Sequence, residues 1–162
     1  FVVLLRLILQ LTKADFYNPI SQGVVKATNP LLLPIRKLIP SIGRVDTSSI
    51  VLALAVQFAT IAVILLIKGY QLGAAQYVVF TLAGTVYHLL DLYFWAMLIS
   101  VILSWVAPGA NHPGAMLVHQ ITEPLYSQVR KVIPNLGGLD ISPIFIFLAI
   151  SVLKQFIAPF VI

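Results

Sequence analysis

Four stretches of the chain are almost continuously apolar, and three of them have the length of a membrane-spanning helix. A hydrocarbon core of roughly 30 Å requires about 20 helical residues. Residues 47–67, 84–106 and 143–162 meet that requirement. The fourth stretch, residues 1–12, is too short alone, and an internal repeat aligns it with the second half of the 84–106 stretch. We therefore expect four spans, the first of which begins before Phe1.

Each predicted pair of spans is joined by a segment that is too polar to cross a bilayer and too apolar to be a free loop. In the first, Asn18-Pro19 has the pattern of an N-cap followed by proline at the first helical position. Asn29-Pro30 restarts the amphipathic pattern, which predicts two short helices in the headgroup layer. The second segment repeats this over residues 113–121 and 124–133. A re-entrant fold is the alternative, because buried irregular backbone is tolerated at membrane depth.

The two linking segments are copies of each other. Between residues 28 and 50, 11 of the 23 positions are identical to those 94 residues later, without a gap. A period this long that occurs twice is a tandem duplication and not a solenoid. The sequence thus predicts two helical hairpins of the same orientation: residues 1–68, a connector at 69–83, and residues 84–162. Residues 69–83 either extend the third span or form an interfacial turn, and Gly69 and Gly73 favour a break there.

Composition places the chain in a membrane. Sixty per cent of its residues are hydrophobic, 9% are charged, and its mean hydropathy is +1.01. Soluble domains carry roughly 25% charged residues, so a soluble protein of this composition would aggregate. The net charge of +5 does not indicate nucleic acid, because the basic residues lie mostly beside apolar runs. The chain has no cysteine, which excludes disulfides and thiolate metal sites.

The distribution of basic residues predicts the orientation. Seven lysines and arginines lie in the two segments within the hairpins, whereas the connection between the hairpins offers Lys68 alone: the seven are Lys13, Lys26, Arg36, Lys37, Arg44, Arg130 and Lys131. Cytoplasmic loops carry the excess of basic residues. We therefore expect both segments on the cytoplasmic side and both termini on the opposite side.

Several polar side chains fall inside predicted spans. Asp91 and Lys154 have opposite charge and similar estimated depth, so we expect them to pair, with His88 or Gln155 nearby. His88 and Asp91 are three residues apart and share a helix face. The pair either holds two spans together or lines a path for ions or protons. Arg6 lies close enough to the end of its span to extend to the membrane surface.

The remaining polar candidates lie in the linking segments. Asp46 and Asp140, with Ser48 and Ser142, precede or begin spans and are expected to cap them. The pairs Arg36-Lys37 and Arg130-Lys131 are expected to bind anionic headgroups or a protein partner. His112, His119 and Glu123 are too scattered for a metal site. No arrangement of catalytic residues appears, so the sequence predicts a protein that is not an enzyme and has no cofactor.

These segments resemble the YggT (YlmG) family of small integral membrane proteins from bacteria and chloroplasts. The resemblance is carried by residues 15–19, residues 29–31 and 36–40, Gly43 and Asp46, and in the second copy by residues 123–125, residues 130–134, residues 137–138, Asp140 and residues 142–143. Asp15-Phe16-Tyr17 has no counterpart in the second copy. The resemblance implies a multi-pass protein of the bacterial inner membrane. Family members have been linked to osmotic stress, to cation homeostasis and to assembly of membrane cytochromes.

Two functions follow as expectations. The first is a non-enzymatic membrane scaffold or assembly factor that binds lipid and a membrane protein or a second copy of itself. Small residues at Ala53, Ala55, Gly84 and Ala96 would permit close contact with such a partner. The alternative is a component of cation or proton transport that uses the charged groups within the spans.

Overall fold

The computed structural model describes residues 1–39, 46–109, 111–133 and 140–162, and these residues form six α-helices and one short 3₁₀-helix. In chain order these are α1 (Val2–Leu11), α2 (Pro19–Leu38), α3 (Thr47–Lys68), α4 (Ala74–Val106), α5 (Pro113–Val132), α6 (Ser142–Ile157) and the 3₁₀-helix Ala158–Phe160. The all-α class is therefore as the sequence predicts. Several residues on which the sequence predictions depend lie outside the described ranges: Pro40, Gly43, Arg44, Pro134, Gly137 and Gly138.

Within these ranges, three helices are long and apolar enough to cross a membrane. They are Thr47–Lys68, Ala74–Val106 and Ser142–Phe160, the last of which includes the 3₁₀-helix. The helix α1 has the same apolar character but only 10 residues. It is followed by a left-handed residue, Lys13, at φ 53°, and the Ala14 N–H bonds the Leu9 carbonyl across this turn. Glycine is the usual residue in such a turn, because it has no Cβ to clash.

Each linking segment contains one long helix, so the prediction of two short helices was wrong. Helix α2 continues through Pro30 and Pro34, and α5 continues through Pro124. A proline inside a helix removes a hydrogen bond and costs about 3 kcal/mol. In α2 the buried face runs from Ser21 to Leu32 and passes the first proline without a change of side. We infer that packing on both sides of the proline outweighs its local cost.

The stretch between the two predicted hairpins is divided at Gly73. Gly69 ends α3 in the left-handed conformation, at φ 69°, and Gly73 is the N-cap of α4. The Gly73 N–H donates to Gln76 Oε1 at 2.9 Å, which fixes the start of α4. Residues 74–83 therefore lengthen the third predicted span. At 33 residues, α4 is about 50 Å long and exceeds the roughly 30 Å hydrocarbon core.

The helices pack in the same order in both halves of the chain. Helix α1 contacts α2 and α3, and α2 contacts α3; helix α4 contacts α5 and α6, and α5 contacts α6. The halves meet where α4 packs against α3 and α1, and where α2 approaches α5. One buried cluster contains residues from both halves and includes Leu4, Ile8, Val24, Leu92, Leu117 and Ile121. The two halves are thus joined by a shared apolar core.

Small residues have a role within this core. Ala53 and Ala96 are buried in the shared cluster, and Gly84 is buried against α3. A Cβ on Gly84 would lie 3.0 Å from the Gln57 Cδ atom, so the Gln57 side chain would have to move to admit it. Ala55 is exposed. Three of the four small residues therefore serve contacts inside the chain, and only Ala55 is available to a partner.

Candidate functional site

One ion pair joins two membrane-spanning candidates. Lys154 Nζ on α6 contacts Asp91 Oδ1 on α4, and the two side chains are 20% and 23% exposed. The same ammonium lies 4.7 Å from the centre of the Tyr87 ring and 5.6 Å from that of Phe94. Cation–π contact adds to the stabilisation of a partly desolvated ammonium. The charge on α6 is therefore surrounded by α4.

His88 lies apart from this pair. Its ring is 5.8 Å from the Phe1 ring and 6.1 Å from the Tyr87 ring, and within the described residues it makes no hydrogen bond to Asp91 or Lys154. The three residues that the sequence grouped together thus divide into an ion pair and a histidine that packs among aromatic rings.

A second ion pair fastens the end of α2 to the start of α3. Arg36 Nη2 contacts Asp46 Oδ2, and the Ser49 hydroxyl donates to the same oxygen at 2.8 Å. Asp46 is completely buried. Burial opposes its ionisation, but the hydrogen bonds from Ser49 and Arg36 and the Arg36 charge together hold the pKa of Asp46 below its usual value.

The expected capping role of Asp46 is only partly matched. Asp46 occupies the N-cap position of α3, but its side chain makes no capping hydrogen bond. Ser48 is likewise turned to a different partner, because its hydroxyl donates to the Ile39 carbonyl at 2.7 Å. Both side chains therefore tie α3 to the end of α2, and we attribute the difference to the proximity of that helix end.

The equivalent pair in the second half is more exposed. Arg130 donates to Asp140 Oδ2 from Nε at 2.9 Å and from Nη2 at 2.6 Å, and Nη1 lies 3.3 Å from Glu123 Oε1. Asp140 Oδ1 accepts the Ser142 N–H at 2.9 Å, whereas the N-cap position of α6 itself is Ile141. Ser142 contributes its backbone donor to this bond, and not the hydroxyl that the sequence suggested.

The electrostatics of this pair match those of the first. Burial opposes ionisation of Asp140, but the hydrogen bonds from Ser142 and Arg130 hold its pKa below the usual value. The same Asp140 bond raises the pKa of Arg130. Both arginines expected to meet headgroups therefore have an aspartate partner in the chain.

The two neighbouring lysines extend from the ends of their helices. Lys37 and Lys131 lie in the last turns of α2 and α5 and are exposed. Lys131 Nζ approaches Gln128 Oε1 at 3.3 Å. Cations in this position complement the helix dipole. Of the four basic residues predicted to bind lipid or a partner, the lysines are thus the ones with no carboxylate partner among the described residues.

The histidines of the second linking segment have local partners. His112 Nδ1 accepts the Gly114 N–H at 3.1 Å and caps α5, as Asn18 Oδ1 caps α2 by accepting the Ile20 N–H. His119 Nδ1 lies 3.8 Å from Glu123 Oε2. In the described ranges, no three histidine or acidic side chains form a group that could hold a metal ion.

Arg6 is buried, and its hydrogen-bond partners were not predicted from the sequence. Its exposed fraction is 8%. Its Nη1 donates to the Val25 carbonyl at 3.2 Å, to Thr28 Oγ1 at 2.6 Å and to Asn29 Oδ1 at 2.8 Å. All three acceptors are on α2, and all are neutral. Depth along α1 could not reveal this arrangement, because it depends on where α2 packs.

The linking segments also contact each other. Asn18 Nδ2 donates to the Pro113 carbonyl at 2.7 Å, and Gln120 Oε1 accepts the Asp15 N–H at 2.9 Å. These bonds join the N-terminal parts of α2 and α5. The two linking segments are therefore in direct contact with each other.

The chain is similar to several bacterial proteins over nearly its whole length. The CCB3/YggT family profile matches residues 1–67 and 79–161. An uncharacterized protein of Pseudomonas aeruginosa is 50% identical over 158 residues, which is 96% of this chain and 80% of that protein. Identity is 39% to a protein from the region 3′ of proC in Vibrio alginolyticus, over 93% of this chain and 82% of that one. Identity to the YggT protein of Escherichia coli K12 is 33%, over 97% of this chain and 81% of that protein. No solved structure matches. The chain belongs to the CCB3/YggT family.

Proposed function

We propose that the protein is a non-enzymatic scaffold or assembly factor of the bacterial inner membrane. In this proposal four spans form two hairpins of the same orientation, and α2 and α5 lie on the cytoplasmic side. The spans bind lipid and a partner membrane protein or a second copy of the chain. Lys37 and Lys131 occupy the last turns of equivalent helices, which supports a basic surface shared by the two halves.

The observation that carries the proposal is the division between charged and apolar surface. The charged groups in the spans and at their ends mostly pair within the chain. The three long apolar helices, in contrast, bury few of the residues in their most hydrophobic 18-residue stretches. The buried share is 28% in Thr47–Lys68, 17% in Ala74–Val106 and 11% in Ser142–Phe160. The uncovered surface carries large side chains that require lipid or a partner, including Phe58, Leu66, Trp95, Phe145, Leu148 and Phe156. Such an exposed apolar surface suits a protein whose function is to bind other membrane proteins.

A copurification experiment tests the scaffold function. The full chain is extracted in mild detergent, and the stoichiometry of its complex is compared with that of the double variant Lys37→Glu/Lys131→Glu. We expect a stoichiometric complex that the double variant loses, because both lysines extend from the proposed partner surface. Arg36 and Arg130 are left unchanged, since reversing them would break ion pairs within the chain.

Lys68→Glu is the matched control, because Lys68 is exposed at the opposite end of α3. It should retain the complex. A wild-type chain that purifies alone as a monomer, or a complex unaffected by the double variant, would contradict the scaffold function.

The proposed orientation has its own test. The chain has no cysteine, so single cysteines at positions 37 and 131 can be labelled without background. Both should react from the cytoplasmic side of intact cells, and a cysteine at position 68 should react from the outside. Labelling of 37 and 131 from opposite sides would refute the arrangement of two equally oriented hairpins.

The Asp91–Lys154 pair favours a second candidate, a component of cation or proton transport. Paired charges within membrane helices are expensive and often mark a transport route. Purified protein in liposomes would then pass K⁺ or H⁺, and Asp91→Asn would abolish the flux while Lys68→Gln would not. Absence of flux from wild-type liposomes would exclude this candidate.

A further inference from the structure

A basic cavity of about 360 Å³ lies between α1 and α2. Three of its lining residues are cationic, namely Arg6, Lys13 and Arg36. In the described part of the chain, no carboxylate lines it. Gln10 and Ser21 add polar atoms, while Leu9, Phe16 and Val25 add apolar surface. A positively charged cavity with an apolar wall suits a ligand that is anionic at one end and apolar at the other.

The charges in this cavity are not neutralised equally. Arg36 forms an ion pair with Asp46, so among the described residues the positive charges without a carboxylate partner are those of Arg6 and Lys13. Arg6 uses only Nη1 for its three bonds, and their acceptors are a carbonyl, a hydroxyl and an amide oxygen. A buried guanidinium without an anionic partner is costly, and a bidentate phosphate is the ligand it recognises best. The remaining guanidinium donors are therefore suited to an oxyanion.

Ser21 provides an independent indication. It is 4% exposed, it lines the cavity, and its hydroxyl has no hydrogen-bond partner within the described residues. Buried hydroxyls are nearly always hydrogen-bonded. A ligand oxygen in the cavity would accept a hydrogen bond from this hydroxyl as well as from the Arg6 guanidinium.

The second half of the chain contains the same cavity without the cations. It measures about 370 Å³ and is lined by Ser100, Ala107 and Ala115, which lie 94 residues after Arg6, Lys13 and Ser21. Of its described lining residues only His119 is ionisable, and that side chain has Glu123 nearby. Equivalent positions thus line a cavity of similar volume in each half, whereas the cationic groups that could hold an anion line the first one.

We propose that the cavity between α1 and α2 binds the phosphate group of an anionic phospholipid, held by Arg6 and Lys13. The cavity lies beside the end of α1, where the proposed orientation places the cytoplasmic headgroups, so the inference depends on that part of the proposed function. Phe16 and Val25 then contact the glycerol and the first methylenes of the lipid. The site is asymmetric, since the second half cannot offer the same contacts.

The test measures lipid binding to the purified full chain in detergent by native mass spectrometry. Phosphatidylglycerol should bind at least about tenfold more tightly than phosphatidylcholine, given two unneutralised cations. Lys13→Gly should weaken phosphatidylglycerol binding about fivefold, because it removes one charge. Glycine also suits the left-handed backbone at residue 13, so this variant should fold. Arg6→Gln should weaken binding about tenfold.

Lys68→Gln is the matched control, because it removes a positive charge that is exposed at the end of α3 and absent from the cavity lining. It should bind phosphatidylglycerol as the wild type does. Equal affinity for the two lipids, or equal binding by wild type and Lys13→Gly, would overturn the proposal. This holds even if the membrane complex copurifies, so failure of the lipid site and failure of the scaffold function are separate results.

A competition arm distinguishes the source of the phosphate. Inorganic phosphate at millimolar concentration should not displace phosphatidylglycerol, because it lacks the apolar contacts to Phe16 and Val25. Displacement that depends on Arg6 and Lys13 would overturn the assignment to lipid and would assign the cavity to a soluble phosphate.

Discussion

The two halves of the chain differ most at the cavities that each encloses between its first helix and its amphipathic helix. Their structural contacts are nearly the same: Arg36 pairs with Asp46 as Arg130 pairs with Asp140, at the same separation in sequence. The Thr28 and Thr122 hydroxyls donate to carbonyls one turn earlier in the same way. The contacts that hold helix ends together are thus alike in the two halves. The residues that face the cavities differ.

A similar divergence is found deeper in the apolar helices. The residue 94 positions before Lys154 is Thr60, which is exposed and donates to the Val56 carbonyl of its own helix. Only the second half therefore has an ion pair between its spans in the described structure. Such a pair is a cost in lipid unless each charge has its partner. The two halves are thus stabilised differently, although their helices pack in the same order.

The largest expected difference in stability between equivalent positions of the two halves is at Leu117, which is buried in their shared core. Leu117→Ala should lower the free energy of unfolding by about 3 kcal/mol, because it leaves a cavity among apolar side chains. Its counterpart Gly23 has open space where a Cβ would lie, with no neighbouring atom within 4 Å, so Gly23→Leu should not destabilise. Denaturant unfolding in detergent measures both. Equal losses in the two variants would mean that the halves are equivalent here.

The next effect separates the two aspartates. Asp46→Asn should cost about 2 kcal/mol, because Asp46 is fully buried and its carboxylate serves two donors. Asp140→Asn should cost less than about 1 kcal/mol, since that pair is largely exposed to solvent. The same unfolding assay measures both. A larger loss for Asp140→Asn would reverse this comparison.

The pH dependence of stability serves as a check on these aspartates. The pKa of each is lowered in the folded chain, so each stabilises the fold fully above about pH 4, the usual value for aspartate. That contribution is lost as the pH falls from about 4 through the lowered folded value. Asp46→Asn should flatten this acid-side loss, and an unchanged profile would argue against an ionised Asp46.

The ion pair between Asp91 and Lys154 should show energetic coupling. Asp91→Asn and Lys154→Met are each expected to destabilise, and the double variant should lose less than the sum by about 1.5 kcal/mol, because it leaves no lone charge. A double-mutant cycle on unfolding in detergent measures this coupling. The equivalent combination with Thr60→Val in place of Lys154→Met should be additive, and additivity in both cycles would show that the pair contributes no stability.

The smallest effect tests how closely the halves approach each other. Gly84→Ala should cost about 1 kcal/mol, because its Cβ would press on the Gln57 side chain between α4 and α3. Gly23→Ala, which has open space around it, should be neutral or stabilise by up to about 1 kcal/mol through higher helix propensity. Thermal unfolding of the two variants gives the comparison. A stabilising Gly84→Ala would show that α3 and α4 are less closely packed.

Much of this arrangement could be predicted residue by residue, and the errors have identifiable causes. The length of the apolar runs predicted the three long helices, and Asn18-Pro19 predicted the start of α2. Local proline chemistry wrongly divided α2 at Pro30, because packing on the far side of the helix is not visible in a local pattern. The partners of Arg6 could not be predicted for the same reason, because its acceptors lie 19 to 23 residues away on another helix.

The sequence by itself determined the long apolar stretches, the helical class and the internal sequence repeat, because apolar length and a constant offset of 94 are properties of residue order alone. The tertiary structure alone decided which charges are paired and which cavity is basic. Those outcomes depend on which side chains from distant helices come within a few ångströms of each other. Residue order limits that choice, but only packing makes it, and that packing brings Arg6, Lys13 and Ser21 to the same cavity.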